Sequence, residues 1–456
     1  MSEVLKENPM RAVRGPLFCI RRLSLVLLFV SMPAPAEDYS VEASQIAAEI
    51  VDVHPRGRAI EVDPEFRAAR AQLIEIARDS DYPHYAMALG HLFHVVDDGH
   101  TASIPAYGAH AEFTFRFPLR VKRFSDGLYV IAAKDTAMPL LGTRLVRIAN
   151  RPVDELLRGF VATSAGGSPA WPANFLPFAV TVPGWLMGLN FVDGGVDEPV
   201  LFEGQGHDGK FSSASLVAAK GGGDGLVQLD RELTDLEKLG RDRTNFVVYL
   251  DDPKALIVEI GAMQDQDDST FEVFTAEVAG AMEGQDIESV VIDLRKNGGG
   301  NNELVMPLHR MLVKSRFNRY GGIFVLTSPS TFSAAMNFAS WLERDTEAIF
   351  VGEPTGGSPN QFGDAEFETT TVSGTPYLIS RLRWQDSSPL DKRRWILPDF
   401  PVEPTFDDFV AGEDRALVLA TTHRPKPMTL QAQRLRLVRP WDRESQHVDW
   451  KFFYQD

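Results

Sequence analysis

The residue types of this chain favour a hydroxyl nucleophile. The 456 residues include one cysteine, Cys19, which excludes a disulfide framework, a multi-thiolate zinc site and an iron–sulfur cluster. Ser333 follows a predicted strand, residues 323–327, and a polar turn, and it stands at the start of an apolar helix over 334–342. Unpaired N–H groups and the helix dipole favour an oxyanion there. On position alone, a serine that merely caps the helix is the favoured interpretation.

A glycine-rich turn is the second candidate element. Gly298, Gly299 and Gly300 follow Asn297 at the end of the apolar run VVIDL. Because glycines leave the backbone N–H groups unobstructed, such a turn binds either a phosphate or an oxyanion. The turn lacks the Gly-Lys-Ser/Thr of a P-loop and the spacing of a dinucleotide-binding motif, which disfavours a phosphate. An oxyanion hole is the other use, and an ordinary glycine-rich turn without a ligand is the alternative.

His100, in the sequence DDGHTAS, is the candidate base. A serine hydroxyl needs a neighbour that takes its proton near neutral pH, and histidine suits that role best. A histidine that only bonds backbone groups at its own turn is the alternative. A metal site is a third interpretation, because five potential ligands lie within ten residues: His91, His94, Asp97, Asp98 and His100.

Four motifs occur in a characteristic order: IDLRKNGGG, LTSPSTFSAA, VGEPTGG and LPDFPVEPT. Together they resemble the C-terminal processing (tail-specific) peptidases, a family that includes the tricorn core protease. The resemblance covers roughly residues 246–417 and reaches back to DDGHT. It implies a serine peptidase with a crotonase-like ββα-spiral core and no cofactor or metal. Ser333 would be the nucleophile, and the N–H groups of Ala334 and of Gly298 or Gly299 would form the oxyanion hole.

One branch of that family activates its serine with a lysine. The stretch that matches the lysine-bearing turn reads GEPTGGSPN, and Ser358 stands at the lysine position. No other lysine lies between Ser333 and Lys392. The resemblance therefore implies that the Ser–Lys dyad is absent from this chain.

The other, tricorn-like branch uses a histidine from the N-terminal part of the chain. DDGHT matches that position, which makes His100 the base. An acidic residue near the final Pro-Asp motif orients the histidine in that branch, and the candidates here are Asp391 and Asp399. We favour Asp391, since Asp399 could instead hold its own loop through backbone hydrogen bonds.

Hydrophobic periodicity divides the chain into regions of an α/β protein. Residues 37–105 carry apolar residues at three- and four-residue spacing, which predicts a bundle of helices. Residues 106–245 read as a β-rich module and residues 246–425 as an α/β catalytic core. Residues 426–456 form a C-terminal extension without an assigned role.

Three features characterise the predicted β-rich module. The alternating run from residue 113 to 133 predicts two strands joined by a turn at Ser125–Asp126–Gly127. The segment LVRIANRPVDELL resembles the family's PDZ-like module, whose groove binds an extended peptide by strand addition. The apolar stretch 170–192 is interrupted by prolines, which predicts a loop covering a groove rather than a membrane span.

Residues 21–36, RRLSLVLLFVSMPAPA, have the pattern of a secretory signal peptide. Two arginines precede a short apolar run, and small residues allow cleavage before Glu37. An apolar N-terminus that is not cleaved is the alternative. Removal of residues 1–36 would also remove Cys19, so we expect a thiol-free mature protein in the periplasm or outside the cell.

Charge and composition narrow the functional class. The formal net charge is −17, whereas a nucleic-acid-binding protein usually carries a positive surface charge, so this class is disfavoured. We expect a serine endopeptidase that acts on polypeptides, binds no nucleic acid and has no stable membrane span. The alternative is a non-catalytic protein of the same fold that binds a peptide or an apolar ligand.

Overall fold

The structure is a computed structural model that describes residues 38–239, 243–267 and 269–425. The predicted signal peptide, residues 1–36, and the predicted C-terminal extension, residues 426–456, lie outside these ranges. Among the residues described, no helix combines the length and the apolar character needed to pass through a lipid bilayer.

The N-terminal region is helical, as its periodicity predicts. Its elements are α1 (Ser40–Val53), α2 (Gly57–Val62), α3 (Pro64–Ile76), α4 (Tyr82–His94) and the short strand β1 (Ala102–Ser103). Asp63 caps α3, because its carboxylate accepts a 2.8 Å hydrogen bond from the Glu65 N–H. Asp81 caps α4 in the same way. The apolar faces of these helices pack into one large hydrophobic cluster.

A seven-stranded sheet dominates the region that follows. Its strands are β2 (Leu119–Phe124), β3 (Gly127–Ala133), β4 (Arg144–Ile148), β5 (Arg151–Pro152), β6 (Val200–Gln205), β7 (Phe211–Leu216) and β8 (Val227–Gln228). The order is β2-β3-β4-β6-β7, with β5 on β4 and β8 on β3. The predicted turn after Phe124 joins β2 to β3 in an antiparallel hairpin. Strand β2 is an edge strand of this sheet within the described residues.

Five helices accompany this sheet, and three of them differ from the prediction. They are α5 (Ala111–Thr114), α6 (Val153–Ala162), α7 (Ala170–Ala179), α8 (Pro183–Gly188) and α9 (Asp235–Lys238). Phe113 lies in α5 rather than in a strand, and the stretch 170–192 forms α7 and α8 rather than a loop. Pro183 occupies the first turn of α8, where a backbone N–H would have no acceptor within the helix, so proline costs no hydrogen bond there.

A six-stranded sheet forms the centre of the C-terminal region. Its order is β18-β13-β12-β11-β10-β9, and all neighbours are parallel except β9, which is antiparallel to β10. Its strands are β9 (Asn245–Leu250), β10 (Ala255–Ile260), β11 (Ser289–Asp293), β12 (Ile323–Thr327), β13 (Ile349–Gly352) and β18 (Phe400–Pro401). Every residue of β10, β11 and β12 is buried, which explains their largely apolar sequences.

Helices cover both faces of this sheet. They are α10 (Phe271–Gly284), α11 (Asn302–Lys314), α12 (Ala334–Asp345), α13 (Phe406–Ala411) and α14 (Arg415–Thr422). One face packs against α10, α11 and α12, and the other packs against α14. The remaining strands form two small sheets: β14 (Asn360–Gly363), β15 (Glu366–Thr369), β16 (Pro376–Ile379) and β17 (Leu382–Gln385).

Two pairings bring the candidate residues into one region. Strands β11 and β12 are parallel neighbours, so the turns that follow them emerge at the same edge of the sheet. The glycine turn follows β11, and the loop that ends at Ser333 follows β12. Strand β1, directly after the His100 turn, pairs antiparallel with β16, with Ala102 opposite Leu378. The helical N-terminal region is thereby attached to the C-terminal region.

Candidate active site

Ser333 lies at the N-terminus of α12 in a rare backbone conformation. Its φ is 54° and its ψ is −126°, and its side chain makes no capping hydrogen bond. A positive φ costs a residue with a side chain roughly 1–3 kcal/mol, and such strain is concentrated at functional sites. Capping therefore does not account for this serine. Its hydroxyl is partly exposed at the positive end of the helix dipole.

Buried polar contacts fix the loop before Ser333. The Thr331 hydroxyl donates to the Leu294 carbonyl at 3.0 Å and accepts from the Ser328 N–H at 3.0 Å. The Phe332 N–H donates to the Asn297 carbonyl at 3.2 Å. Because Leu294 and Asn297 follow β11, these bonds tie the loop to the glycine turn.

The glycine turn lies directly against Ser333. A Cβ on Gly299 would lie 2.5 Å from the Ser333 Cβ and 3.1 Å from the Ala334 nitrogen, and Gly299 has a φ of +121°. A residue with a side chain would be both strained and in collision there. Glycine is thus required so that the backbone can approach the serine.

The two predicted glycine donors are not equivalent. The Gly299 N–H donates to the Asn297 side-chain oxygen at 2.8 Å, so it is already engaged. The N–H groups of Gly298 and Ala334 have no acceptor among the described residues. An oxyanion hole needs free backbone N–H donors beside the serine. Of the two candidate glycines, Gly298 is the one whose N–H is free.

His100 lies in an aromatic stack beside Ser333. Its ring stacks on Phe332, the residue before the serine, with centroids 4.3 Å apart. Phe332 in turn stacks on Trp171 of α7, with centroids 3.7 Å apart. The His100 Nε2 atom is buried and makes no hydrogen bond within the described residues. The structure thus brings His100 to the loop that bears Ser333, although its buried Nε2 makes no hydrogen bond to the Ser333 hydroxyl.

The environment of His100 favours the neutral imidazole. Burial lowers its pKa, and the negative charges of Asp98 and Asp364, with a backbone hydrogen bond of Phe362, only partly oppose this effect. A neutral imidazole with a free Nε2 is the form that accepts a proton.

Asp391 is not a partner of His100 in the structure. Its carboxylate accepts hydrogen bonds from the Arg393 guanidinium, at 2.9–3.2 Å, and from the Ser387 hydroxyl at 2.7 Å. Arg393 also pairs with Glu343 at 2.7 Å. Asp399 accepts a hydrogen bond from the Phe350 N–H at 2.9 Å. It therefore holds its own loop to β13, which is the structural role that the sequence offered as the alternative to orienting His100.

We expect Asp391→Asn to lower the free energy of unfolding by about 2 kcal/mol at pH 7, because it removes charged hydrogen bonds from a fully buried side chain. Burial opposes ionisation, but the bonds from Arg393 outweigh it and lower the pKa of Asp391. The stabilisation is therefore present above the unfolded pKa of about 4 and is lost as the pH falls. Urea denaturation at pH 7 and pH 3 measures it. A variant as stable as the wild type at pH 7 would contradict the assignment.

Ser358, at the lysine position, and Gln361, just after the matching stretch, make neutral contacts. The Ser358 hydroxyl donates to the Asn360 carbonyl at 2.7 Å. The Gln361 amide donates to the Ser333 carbonyl at 2.9 Å and so helps to hold the serine backbone. His100 remains the candidate base for Ser333.

The potential metal ligands around His100 point to separate partners. The Nδ1 atoms of His91 and His94 bond the carbonyls of Ala162 and Ser164, at 3.1 and 2.9 Å. Within residues 38–239, 243–267 and 269–425, no three His, Cys, Asp or Glu side chains converge on a common point suited to a metal ion.

A cleft of about 940 Å³ lies beside the candidate site, between the two large sheets. Residues 121–124 of the edge strand β2 form one wall, and residues 328–330 form part of the other. Arg123 and Glu353 make an ion pair across it. Ser333, His100 and Gly298 do not themselves line the cleft, which approaches the Ser333 turn at residues 328–330.

Sequence reasoning missed three residues that shape the site. Trp171 lies in the proline-broken stretch 170–192 and stacks on Phe332. Phe332 directly precedes the serine, and this position in the sequence is the signal that indicates it. Asp98 was considered only as a metal ligand, yet its carboxylate accepts the His100 N–H at 3.1 Å.

The comparisons with known proteins concern the fold. Neither a family model nor a curated protein sequence matches the chain. The chain is similar to mature CPAF, with a TM-score of 0.59 and 12% identity over 86% of this chain and 99% of that one. The complex of CPAF with lactacystin gives 0.57 and 12% over 81% and 94%. The photosystem II D1 C-terminal processing protease gives 0.37 and 14% over 83% and 98%. The predicted resemblance is confirmed at the level of the fold, and the assignment to the Ser–His branch stays a prediction.

Proposed function

We propose that this chain, which has the fold of the C-terminal processing peptidases, is a serine peptidase that hydrolyses peptide bonds through an acyl-enzyme on Ser333. The observation that carries the proposal is the strained Ser333, packed against a glycine turn with two unused N–H donors next to it. A structural serine at a helix start needs neither the strain nor the donors.

Each step of the mechanism uses a group described above. The His100 Nε2 accepts the proton of Ser333 as the serine oxygen attacks the peptide carbonyl carbon. The N–H groups of Gly298 and Ala334 bind the oxyanion of the tetrahedral intermediate. His100 then gives the proton to the leaving amine, and the C–N bond breaks. A water that loses its proton to His100 hydrolyses the acyl-enzyme and regenerates the serine.

The division of the chain supports a polypeptide substrate. We assign residues 37–105 to an N-terminal helical domain, 106–245 to a PDZ-like module and 246–425 to a crotonase-like catalytic core. In this division the cleft lies between the module and the core, and one of its walls is an edge strand. An extended polypeptide can add to such an edge by backbone hydrogen bonds and continue toward Ser333.

We also propose that the protein is exported and that cleavage of residues 1–36 precedes its action. The pattern of two arginines, a short apolar run and small residues before Glu37 supports this. N-terminal sequencing of the protein from a periplasmic or culture fraction tests it. Recovery of the intact N-terminus from the cytoplasm alone would refute export.

Active-site labelling tests the proposed chemistry and separates an enzyme from a non-catalytic binding protein of the same fold. A fluorophosphonate probe, which reacts with activated serines, should label Ser333, and peptide mass spectrometry locates the adduct. Lactacystin, which CPAF binds, is expected to compete with the probe. A correctly folded protein that labels at no serine would contradict the proposal and favour a carrier of peptides or apolar molecules.

A further inference from the structure

Asp98 is the centre of a buried hydrogen-bond network at the His100 turn. The side chain is 3% exposed. One carboxylate oxygen accepts the backbone N–H of His100 at 3.1 Å. The other accepts the hydroxyls of Thr101 and Ser380, each at 2.6 Å, and lies 3.3 Å from the Nε2 of His54. Four donors therefore converge on one carboxylate two residues before the candidate base.

The hydrogen bonds of His54 define its role in this network. Its Nδ1 accepts the Arg56 N–H at 3.1 Å, so the ring proton is on Nε2 and points at Asp98. His54 thus acts as a donor that helps to keep the carboxylate ionised. Burial opposes ionisation, yet the bond from His54, the positive charge that His100 carries when it is protonated, and the bonds from Ser380 and Thr101 lower the pKa of Asp98 to about 2.

Among the described residues, the carboxylates of Asp98 and Asp364 raise the pKa of His100, and Asp98 has the larger effect. Asp364 is exposed to water, which weakens its field. Asp97 is paired with Arg394, so its charge is compensated locally. A fixed, buried, ionised carboxylate at Asp98 therefore dominates the electrostatics of the turn.

We infer that Asp98, rather than Asp391, is the carboxylate that positions His100 and stabilises its protonated form during catalysis. This inference rests on the proposed function. Asp98 does not touch the reacting atoms. It holds the backbone of the histidine through the N–H bond, and its charge favours the imidazolium that forms when His100 takes the serine proton. Asp391, bound to Arg393, has a structural role instead.

The test is the pH profile of kcat/KM for Asp98→Asn. Removing the negative charge lowers the pKa of His100 further, so the acidic limb of the profile, where the base becomes protonated, should move to lower pH. The value of kcat/KM at the optimum should fall by about 10²-fold, since both position and charge are lost. Asp391→Asn is the matched control, and the acidic limb of its pH profile should stay at the same pH as in the wild type.

A second variant tests the inference if Asp98→Asn does not fold. The double variant Thr101→Val, Ser380→Ala leaves the carboxylate ionised but removes two of its donors. We expect a smaller loss of kcat/KM, about 10-fold, with the acidic limb unmoved, because position is disturbed and charge is kept. Wild-type activity of a folded double variant would overturn the inference, as would an unmoved limb in folded Asp98→Asn.

An NMR titration separates this inference from the proposed function. The His100 imidazole is titrated in Ser333→Ala and in Ser333→Ala, Asp98→Asn, which requires no activity. A lower His100 pKa in the second protein supports the electrostatic role even if the chain proves not to be a peptidase. Equal values would reject that role while leaving a result at Ser333 untouched.

Discussion

Replacement of Ser333 by alanine is expected to lower kcat/KM for an unfolded protein substrate by about 10⁴-fold or more. The proposed acyl-enzyme is an ester of this hydroxyl, so it cannot form when the hydroxyl is absent. The fold should be kept, because the side chain makes no capping bond and alanine is small enough for the site. Initial rates with a quenched fluorescent peptide and with a casein-like substrate measure the effect.

Ser340→Ala is the control for this experiment. Ser340 lies in the same helix, is 2% exposed and donates only to the Met336 carbonyl one turn earlier, at 3.0 Å. Its loss should leave kcat/KM within about twofold of the wild type. If Ser333→Ala cleaves as fast as Ser340→Ala, the serine is not the nucleophile.

Gly299→Ala is expected to lower kcat/KM by at least about 10³-fold, more than the loss of one oxyanion donor costs. The new Cβ would lie 2.5 Å from the Ser333 Cβ at a φ of +121°, so the turn and the serine must separate. That movement displaces the Gly298 N–H relative to the hydroxyl. Activity assays and thermal unfolding should show inactivation accompanied by a stability loss of about 1–3 kcal/mol.

The neighbouring glycine provides a matched comparison. A Cβ on Gly298 would meet no atom within 4 Å, and its backbone does not need a positive φ. Gly298→Ala keeps the N–H donor and should keep the wild-type stability and most of the activity. Two glycine variants that are equally active would show that the turn does not form the oxyanion hole.

The sequence predicted the strands and helices around Ser333 well because its signals there are local. The buried strand β12 and the start of α12 follow from apolar runs and a polar turn, and they determine where Ser333 lies. Three glycines in a row identify a turn that needs unusual φ values, two of which are positive in the structure, at Gly299 and Gly300. Such features depend on residues close together in the chain.

The orienting carboxylate could not be predicted in the same way. Asp391 lies at a suitable place in the sequence, but Arg393, two residues on, binds it, and a short-range ion pair of this kind prevails over a distant histidine. The partners of Asp98 come from three separate parts of the chain, with His54 and Ser380 more than 300 residues apart. Only the tertiary structure brings them together.

The stretch 170–192 shows a further limit. Its prolines predict an irregular segment, yet Pro183 falls in the first turn of α8, where a proline is tolerated. Whether a proline breaks a helix or begins one depends on where the helix starts, and this start is set by packing. The stacking of Trp171 on Phe332 belongs to that packing.

The pairing of β1 with β16 has a consequence for the timing of activity. Residues from opposite halves of the chain, Thr101 and Ser380, must meet before the His100 turn is complete. A ribosome-bound or partly translocated chain that ends before residue 380 lacks this support. The proposed peptidase is therefore expected to be inactive during its own synthesis. Its His100 turn is complete only when nearly the whole polypeptide has emerged and folded.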